Sequence, residues 1–391
     1  MLKALSRLWL RSVKKISKAQ QSQSKKLVKT LLAPPAPLKR KPAKPAFKTG
    51  APVAKRKIRT PAASKTGVKG PQKVPANTNA ELPGRWLPFY YLSTKEGATT
   101  ARRRMQYWLY LPASAGASSA ALPLVVMLHG CNQNVDDFVR GTRMNQLAEK
   151  QGFAVLYPQQ SYSSHIKRCW NWYSRETQAG GGDAKRIAAI INVVADKHPI
   201  DKTRIYIAGL SAGATMASIV AVNYPHLITA LGVHSGTVFG AGHSIIGAYG
   251  VMQRGALKSL PDTIANIAQK YPVFPTMPVM LIQGLQDNVV RPINTVQLTQ
   301  QFKALNRVDE GTKVRITTMA ASEPDSKNPH SSYTMQEYYQ AEHCLIRVCE
   351  IPALGHAWSG GDCSLRYNAC EGPDATQMLW DFFKNQRRAA V

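Results

Sequence analysis

Gly209-Leu210-Ser211-Ala212-Gly213 is entered from the apolar run Arg204-Ile205-Tyr206-Ile207-Ala208 and runs on into a helix-like segment, Ala214 to Val222. A serine in G-x-S-x-G between a strand and a helix has the pattern of a nucleophile elbow. The turn is so sharp that only small residues fit beside the serine, which leaves Oγ exposed and points the next backbone N–H at a reacting carbonyl. Gly, Ser and Ala are common, so a chance pentapeptide is the competing reading, and the strand before and helix after weigh against it. Ser211 is the candidate nucleophile.

Working outward, two partners follow in the chain order nucleophile, acid, histidine. The apolar segment Val279-Met280-Leu281-Ile282 leads into Gln283-Gly284-Leu285-Gln286-Asp287, which puts Asp287 in a loop at the end of a buried strand. Leu354-Gly355-His356-Ala357-Trp358-Ser359-Gly360-Gly361 sets His356 in a glycine-rich loop near the C-terminus. A serine hydroxyl becomes a useful nucleophile when an imidazole takes its proton, and a carboxylate fixes the tautomer of that imidazole. His356 is thus expected as general base and Asp287 as orienting acid, with Asp325, Asp362, His330 and His343 as the alternatives. Upstream, Leu124-Val125-Val126-Met127-Leu128 ends in His129-Gly130-Cys131. The backbone N–H groups of Cys131 and Ala212 are expected to form the oxyanion hole, with His129 holding the loop.

Short apolar runs of strand length alternate with helical periodicity over residues 81–391. Strands are expected at Leu124 to Leu128, Ala154 to Tyr157, Arg204 to Ala208, Ala230 to His234, Val279 to Ile282 and Arg315 to Met319. Helices are expected at Asp136 to Lys150, Asp183 to Asp196 with Asp183 as N-cap, Ala212 to Asn223 and Asn294 to Leu305. The alternation predicts an α/β class, a mostly parallel sheet flanked by helices. There is no dinucleotide turn or phosphate loop, so no organic cofactor is expected, and the cysteine spacings do not suit zinc.

Four motifs together resemble the catalytic domain of poly(3-hydroxybutyrate) depolymerase-type esterases. They are His129-Gly-Cys-Asn-Gln-Asn134, Cys169-Trp-Asn-Trp-Tyr173, Gly209-Leu-Ser-Ala-Gly213 and Gly355-His-Ala-Trp-Ser-Gly-Gly361, with Gly372-Pro-Asp-Ala-Thr376 before the last helix. The resemblance covers about residues 85 to 385. It implies an α/β-hydrolase fold and hydrolysis of poly- or oligo-(3-hydroxybutyrate) esters through an acyl-serine, with Ser211, Asp287 and His356 as triad. Feruloyl and acetylxylan esterases share these elements, so a carboxylesterase acting on polysaccharide esters is the alternative. Trp358, Trp170 and Trp172 are candidate walls of a substrate groove, with core packing as the competing explanation.

The N-terminal 80 residues have another character. They contain 21 Lys or Arg and no Asp or Glu, which leaves 30 basic and 22 acidic residues for 81–391. Residues 33–75, rich in Pro, Ala, Lys and Gly, are expected to be a disordered linker. Over about residues 2–18, Leu2, Leu5, Trp9, Val13 and Ile16 share one helical face, and Lys3, Arg7, Arg11, Lys14, Lys15 and Lys18 the other. A basic amphipathic helix suits an anionic surface, whether a polymer granule, a membrane surface or DNA. A polybasic granule- or DNA-tethering protein is therefore a reading of another class. Nothing has the apolar length of a membrane span or the shape of a secretory signal, so a cytoplasmic, granule-associated location is expected, with secretion by an unseen route as the alternative.

The six cysteines, Cys131, Cys169, Cys344, Cys349, Cys363 and Cys370, pull against a cytoplasmic location. An even count suggests bridges but leaves connectivity open. The expected pairs are Cys131–Cys169, Cys344–Cys349 and Cys363–Cys370.

Overall fold

A computed structural model describes residues 82–93, 104–116, 120–257, 260–309, 312–320 and 332–389. The amphipathic helix at 2–18 and the basic linker lie outside these residues. The described strands are β1 (Arg85–Leu92), β2 (Arg104–Leu111), β3 (Leu122–Leu128), β4 (Ala154–Gln159), β5 (Ile200–Leu210), β6 (Ala230–His234), β7 (Val279–Gly284), β8 (Lys313–Met319), β9 (Tyr333–Gln340) and β10 (His343–Ile351). They form one sheet in the order β1-β2-β4-β3-β5-β6-β7-β10-β9-β8. The centre from β4 to β10 is parallel, while β1, β2, β9 and β8 pair antiparallel at the two edges.

Side-chain alternation builds the two layers. In β3, Leu124, Val126 and Leu128 join one core, and Val125 and Met127 join the other. In β7, Val279 and Leu281 face the first core and Met280 and Ile282 the second. Both faces of a central parallel strand are covered by helices, which is why these segments are apolar without a break. Helices Gly182–Lys197, Ala212–Asn223 and Ile293–Leu305 cover the first face. Helices Val135–Thr142, Met144–Gln151 and Ala375–Phe383 cover the second. Helix Ala212–Asn223 is buried at every position, so its sequence shows no polar stripe. This is the α/β class expected from the alternation of elements, in the α/β-hydrolase architecture that the resemblance implies.

Three expected elements differ from those observed. The helix expected over Asp136 to Lys150 is broken at Arg143, which adopts a left-handed conformation (φ 56°) and caps one helix while opening the next. There the Thr142 carbonyl accepts a hydrogen bond from Thr376 Oγ1 and Arg143 Nη2 donates to the Gly361 carbonyl, tying the break to the C-terminal loops. Asp183 does not cap its helix, whose N-cap is Gly181. It is instead buried in the first turn, paired with Arg186 and accepting from Gln160 Nε2 and the Asn171 backbone N–H. The run Arg315 to Met319 lies in β8, but this strand is exposed along its whole length because it pairs only with β9 at the sheet edge.

The cysteine pairing is corrected at one point. Cys131–Cys169 and Cys363–Cys370 are disulfides, whereas Cys344 and Cys349 are free thiols. Both of the latter lie on β10, where five residues of extended chain separate their Cα atoms by roughly 16 Å, far beyond disulfide reach. No described helix is long and apolar enough to cross a membrane.

Candidate active site

The elbow forms because β5 and helix Ala212–Asn223 meet with no room between them. A Cβ on Gly209 would lie 2.5 Å from the Gly213 carbonyl carbon and 2.6 Å from the Leu128 oxygen, and one on Gly213 would lie 2.0 Å from that oxygen. Glycine is the residue that permits these backbone approaches. Between them Ser211 holds φ 57° and ψ −120°, a strained conformation for a residue with a side chain. Strain of this kind persists where the surrounding structure over-determines it, and the two glycine contacts do so here.

Main-chain bonds carry the ladder past the strand ends and gather the loops. Ser211 N–H donates to the His234 carbonyl (2.9 Å), Ser235 N–H to Ile282 (2.9 Å), Leu285 N–H to Ile351 (3.0 Å) and Gln286 N–H to Leu354 (3.0 Å). The carboxyl ends of β5, β6, β7 and β10 are thereby locked side by side. Gly284 permits the last of these approaches, since a Cβ there would stand 2.2 Å from the Leu354 oxygen.

At this edge His356 Nδ1 donates to Asp287 Oδ2 at 2.7 Å. The Asp287 side chain is fully buried and that of His356 is 11 % exposed, so the pair is open only on the imidazole side. Asp287 Oδ1 accepts the backbone N–H groups of Val289 and Val290, each at 2.8 Å. Burial acts to raise the Asp287 pKa, but the His356 bond and charge and the two N–H groups outweigh it and hold the carboxyl below the usual carboxylate range. Asp287 is therefore ionised at neutral pH and accepts the proton that His356 carries on Nδ1. Ser211 Oγ makes no hydrogen bond among the described residues; in unliganded enzymes the serine–histidine contact is often long and tightens with substrate.

The His129-Gly130-Cys131 loop reaches the same place. A Cβ built on Gly130 would lie 3.6 Å from the Cβ of Ser211. Neither the Cys131 nor the Ala212 backbone N–H meets an acceptor among the described residues, so both are available as donors beside Ser211. His129 is fully buried, donating from Nδ1 to the Gly130 carbonyl and accepting the Gln160 N–H at Nε2. Burial, with Arg168 adding to it against the Gly130 bond, pushes its pKa down to about 4, which keeps this loop-holding ring neutral.

The three tryptophans do not line a groove. Trp170, Trp172 and Trp358 are 0 %, 4 % and 1 % exposed. Trp170 Nε1 donates to the His129 carbonyl and Trp358 Nε1 to Thr376 Oγ1, so each ring supports a loop from behind. Among the alternatives to the acid and the base, Asp362 caps its own turn through Ser364 and His343 opens β10. Asp325 and His330 fall outside the described residues. No cluster of three His, Cys, Asp or Glu among the described residues could hold a metal ion. Sequence reasoning missed His234, the last residue of β6, which is buried beside the paired His356 and Asp287; its signal was a histidine closing an apolar strand next to the elbow strand.

Residues 105–324, more than half the chain, match the family described as Esterase PHB depolymerase. Over 272 residues the chain is 28 % identical to poly(3-hydroxyalkanoate) depolymerase C of Paucimonas lemoignei, covering 68 % of this chain and 62 % of that one. It is 29 % identical over 204 residues to a probable acetylxylan esterase A of Aspergillus fumigatus, covering 50 % of this chain and 53 % of the relative. It is 28 % identical over 202 residues to feruloyl esterase B of Thermothelomyces thermophilus, covering 48 % of this chain and 66 % of the relative. The chain thus spans less than two thirds of the length of each of these relatives. An acetyl xylan esterase from Aspergillus awamori shares the fold, with a TM-score of 0.57 at 20 % identity over 76 % of this chain and 99 % of that one. The matched segment contains the elbow and Asp287, and the chain belongs to the PHB depolymerase esterase family.

Proposed function

We propose that the protein is a serine esterase in which Ser211 is the nucleophile, His356 the general base and Asp287 the orienting acid. The 2.7 Å bond between His356 and a fully buried Asp287, beside a strained elbow serine, carries this reading. His356 Nε2 takes the Ser211 proton as Oγ attacks the ester carbonyl. The oxyanion that forms is met by the Cys131 and Ala212 N–H groups, donors of a kind worth about two to three orders of magnitude in turnover. Collapse of the tetrahedral intermediate expels the alcohol, which receives the proton from His356. Water, activated by the same imidazole, then releases the acid from the acyl-serine.

The favoured substrate is poly- or oligo-(3-hydroxybutyrate). Leu285 and Val289 flank Asp287 and Ile293 follows on the next helix, and these aliphatic side chains are 40 %, 39 % and 39 % exposed. Exposed aliphatic side chains this close in sequence to Asp287 suit an aliphatic polyester better than a sugar. Acyl esters on polysaccharides are the second reading, favoured by the similarity to acetylxylan and feruloyl esterases. The two disulfides fit an oxidising compartment and do not favour the cytoplasmic location expected from the sequence. Attachment to an anionic surface through residues 1–80 is carried by their charge alone, and a truncation lacking them should lose granule binding while retaining turnover.

The test compares the protein with Ser211→Ala on amorphous polyhydroxybutyrate, hydroxybutyrate oligomers, and acetyl and feruloyl esters. Serine-dependent release of hydroxybutyrate supports the favoured substrate. Activity on the acetyl or feruloyl esters alone selects the second reading. Hydrolysis that survives in Ser211→Ala would overturn the mechanism. Asp287→Asn should reduce kcat by about three to four orders of magnitude with its fold retained.

A further inference from the structure

His234 is a buried imidazole in a region where an apolar side chain would fill the space at less cost in desolvation. It ends β6, the strand between the one that leads to Ser211 and the one that leads to Asp287. Its carbonyl accepts the Ser211 N–H at 2.9 Å. Its ring reaches the other way. Nε2 accepts the Ser359 N–H at 3.2 Å, and Ser359 lies three residues beyond His356 in the same loop. The ring also stacks on Trp358, with centroids 5.2 Å apart and planes 26° apart. Because Nε2 is an acceptor, the proton resides on Nδ1, which donates to Ser235 Oγ at 3.2 Å.

We propose that His234 is a positioning residue that joins the two halves of the reacting geometry, its carbonyl fixing the nucleophile and its ring fixing the loop that carries the general base. The proposal rests on the assignment of Ser211, His356 and Asp287 above. His234 is not a second base, since its Nε2 is already occupied. Burial, reinforced by the neighbouring His356 and opposed by Asp287, also pushes its pKa down to about 3. A ring kept neutral can accept from Ser359 at every pH at which the enzyme works. Loss of that bond frees the His356 loop by one tie, and a displacement of about 1 Å at a reacting group can lower turnover by about 100-fold.

Substitutions at His234 leave its backbone carbonyl in place and so isolate the ring. His234→Phe keeps the stack on Trp358 but cannot accept the Ser359 N–H. His234→Gln supplies an amide oxygen of similar reach, and His234→Asn one that is too short. The readouts are kcat and KM for p-nitrophenyl butyrate, the inactivation rate with a fluorophosphonate, and the count of reactive serines. Per reactive serine, His234→Phe should lose about 30- to 100-fold in kcat and in inactivation rate, with KM within about threefold of the parent. His234→Gln should recover most of that loss. A role confined to stability would lower the count of reactive serines and leave turnover per site unchanged, and this result would overturn the proposal. So would His234→Gln falling as low as His234→Phe. If His234→Phe does not fold, His234→Gln against His234→Asn gives the same comparison. Persistence of activity in Ser211→Ala would instead remove the triad on which the proposal rests.

Discussion

The elbow that carries Ser211 and the loop that carries His356 stand side by side and are held by opposite means. The elbow is fixed by close packing on backbone distant in sequence: the Leu128 carbonyl stands where a Cβ of Gly209 or Gly213 would be, Ser211 is strained between them, and its N–H donates to the His234 carbonyl. The His356 loop is fixed largely by ties within its own segment. Trp358 exchanges main-chain bonds with Tyr367 and Ala369, Gly361 N–H donates to Ala369, and the Cys363–Cys370 disulfide closes the same turn. Gly355, next to His356, has open space at its Cβ position, the nearest atom being the Gln286 oxygen at 4.0 Å. In the proposed mechanism the nucleophile requires one rigid pose, whereas the base, which shuttles a proton between serine and leaving group, can be placed by several weaker ties.

The largest effect should separate the two loops directly. Gly213→Ala puts a methyl carbon into the Leu128 carbonyl and should cost more than about 4 kcal/mol, seen as a collapse of soluble yield or of the urea midpoint. Next come the disulfides. In the chain-entropy picture, removing Cys131–Cys169, which spans 38 residues, should cost about 4 kcal/mol, and removing Cys363–Cys370, which spans seven, about 2 kcal/mol. Paired Cys→Ser variants in urea denaturation give both values. If the Cys363–Cys370 variant keeps full turnover, the disulfide is not needed to place His356, and the contrast between the loops narrows.

A smaller and graded effect follows from the buried imidazoles. His129 and His234 have folded pKa values pushed down to about 4 and about 3. As pH falls below about 6.5 the unfolded chain binds protons that the folded chain refuses, so stability is complete above that pH and declines below it. Each ring should contribute a slope of about 1.4 kcal/mol per pH unit between about pH 6 and pH 4. Asp287, held below its ordinary pKa, adds to the loss only below about pH 4. Thermal melts from pH 7.5 to 4.5 should show the decline, and His129→Gln should make it shallower. The smallest effect is expected at Gly355→Ala, within about 0.5 kcal/mol of the parent, because nothing occupies the added volume. A large loss there would show that the base loop is as tightly built as the elbow.

The parallel centre of the sheet was legible because a strand covered on both faces is an unbroken apolar run, as in β3, β6 and β7. Where burial is one-sided or absent, the signal weakens. Strand β8 reads as a core strand yet lies exposed at the edge, and β1, β2, β9 and β10 carry polar residues that hide them. The tryptophans illustrate the same limit. An aromatic beside a catalytic motif fits either a groove or a buried prop, and the direction of its ring depends on partners such as Thr376 and His129 that are distant in sequence.

By itself the sequence determined the elbow pattern, the loop positions of Asp287 and His356 after it and the parallel centre of the sheet, while it left the cysteine connectivity open. These follow from local rules: glycine where backbones touch, apolar runs where strands are buried, short polar loops where strands end. Tertiary structure alone decided that Asp183 joins loops rather than capping a helix, and that His234 lies between Ser211 and the His356 loop. Each of these depends on which strands are neighbours and how far apart two residues stand in space, and neither is encoded by spacing along the chain.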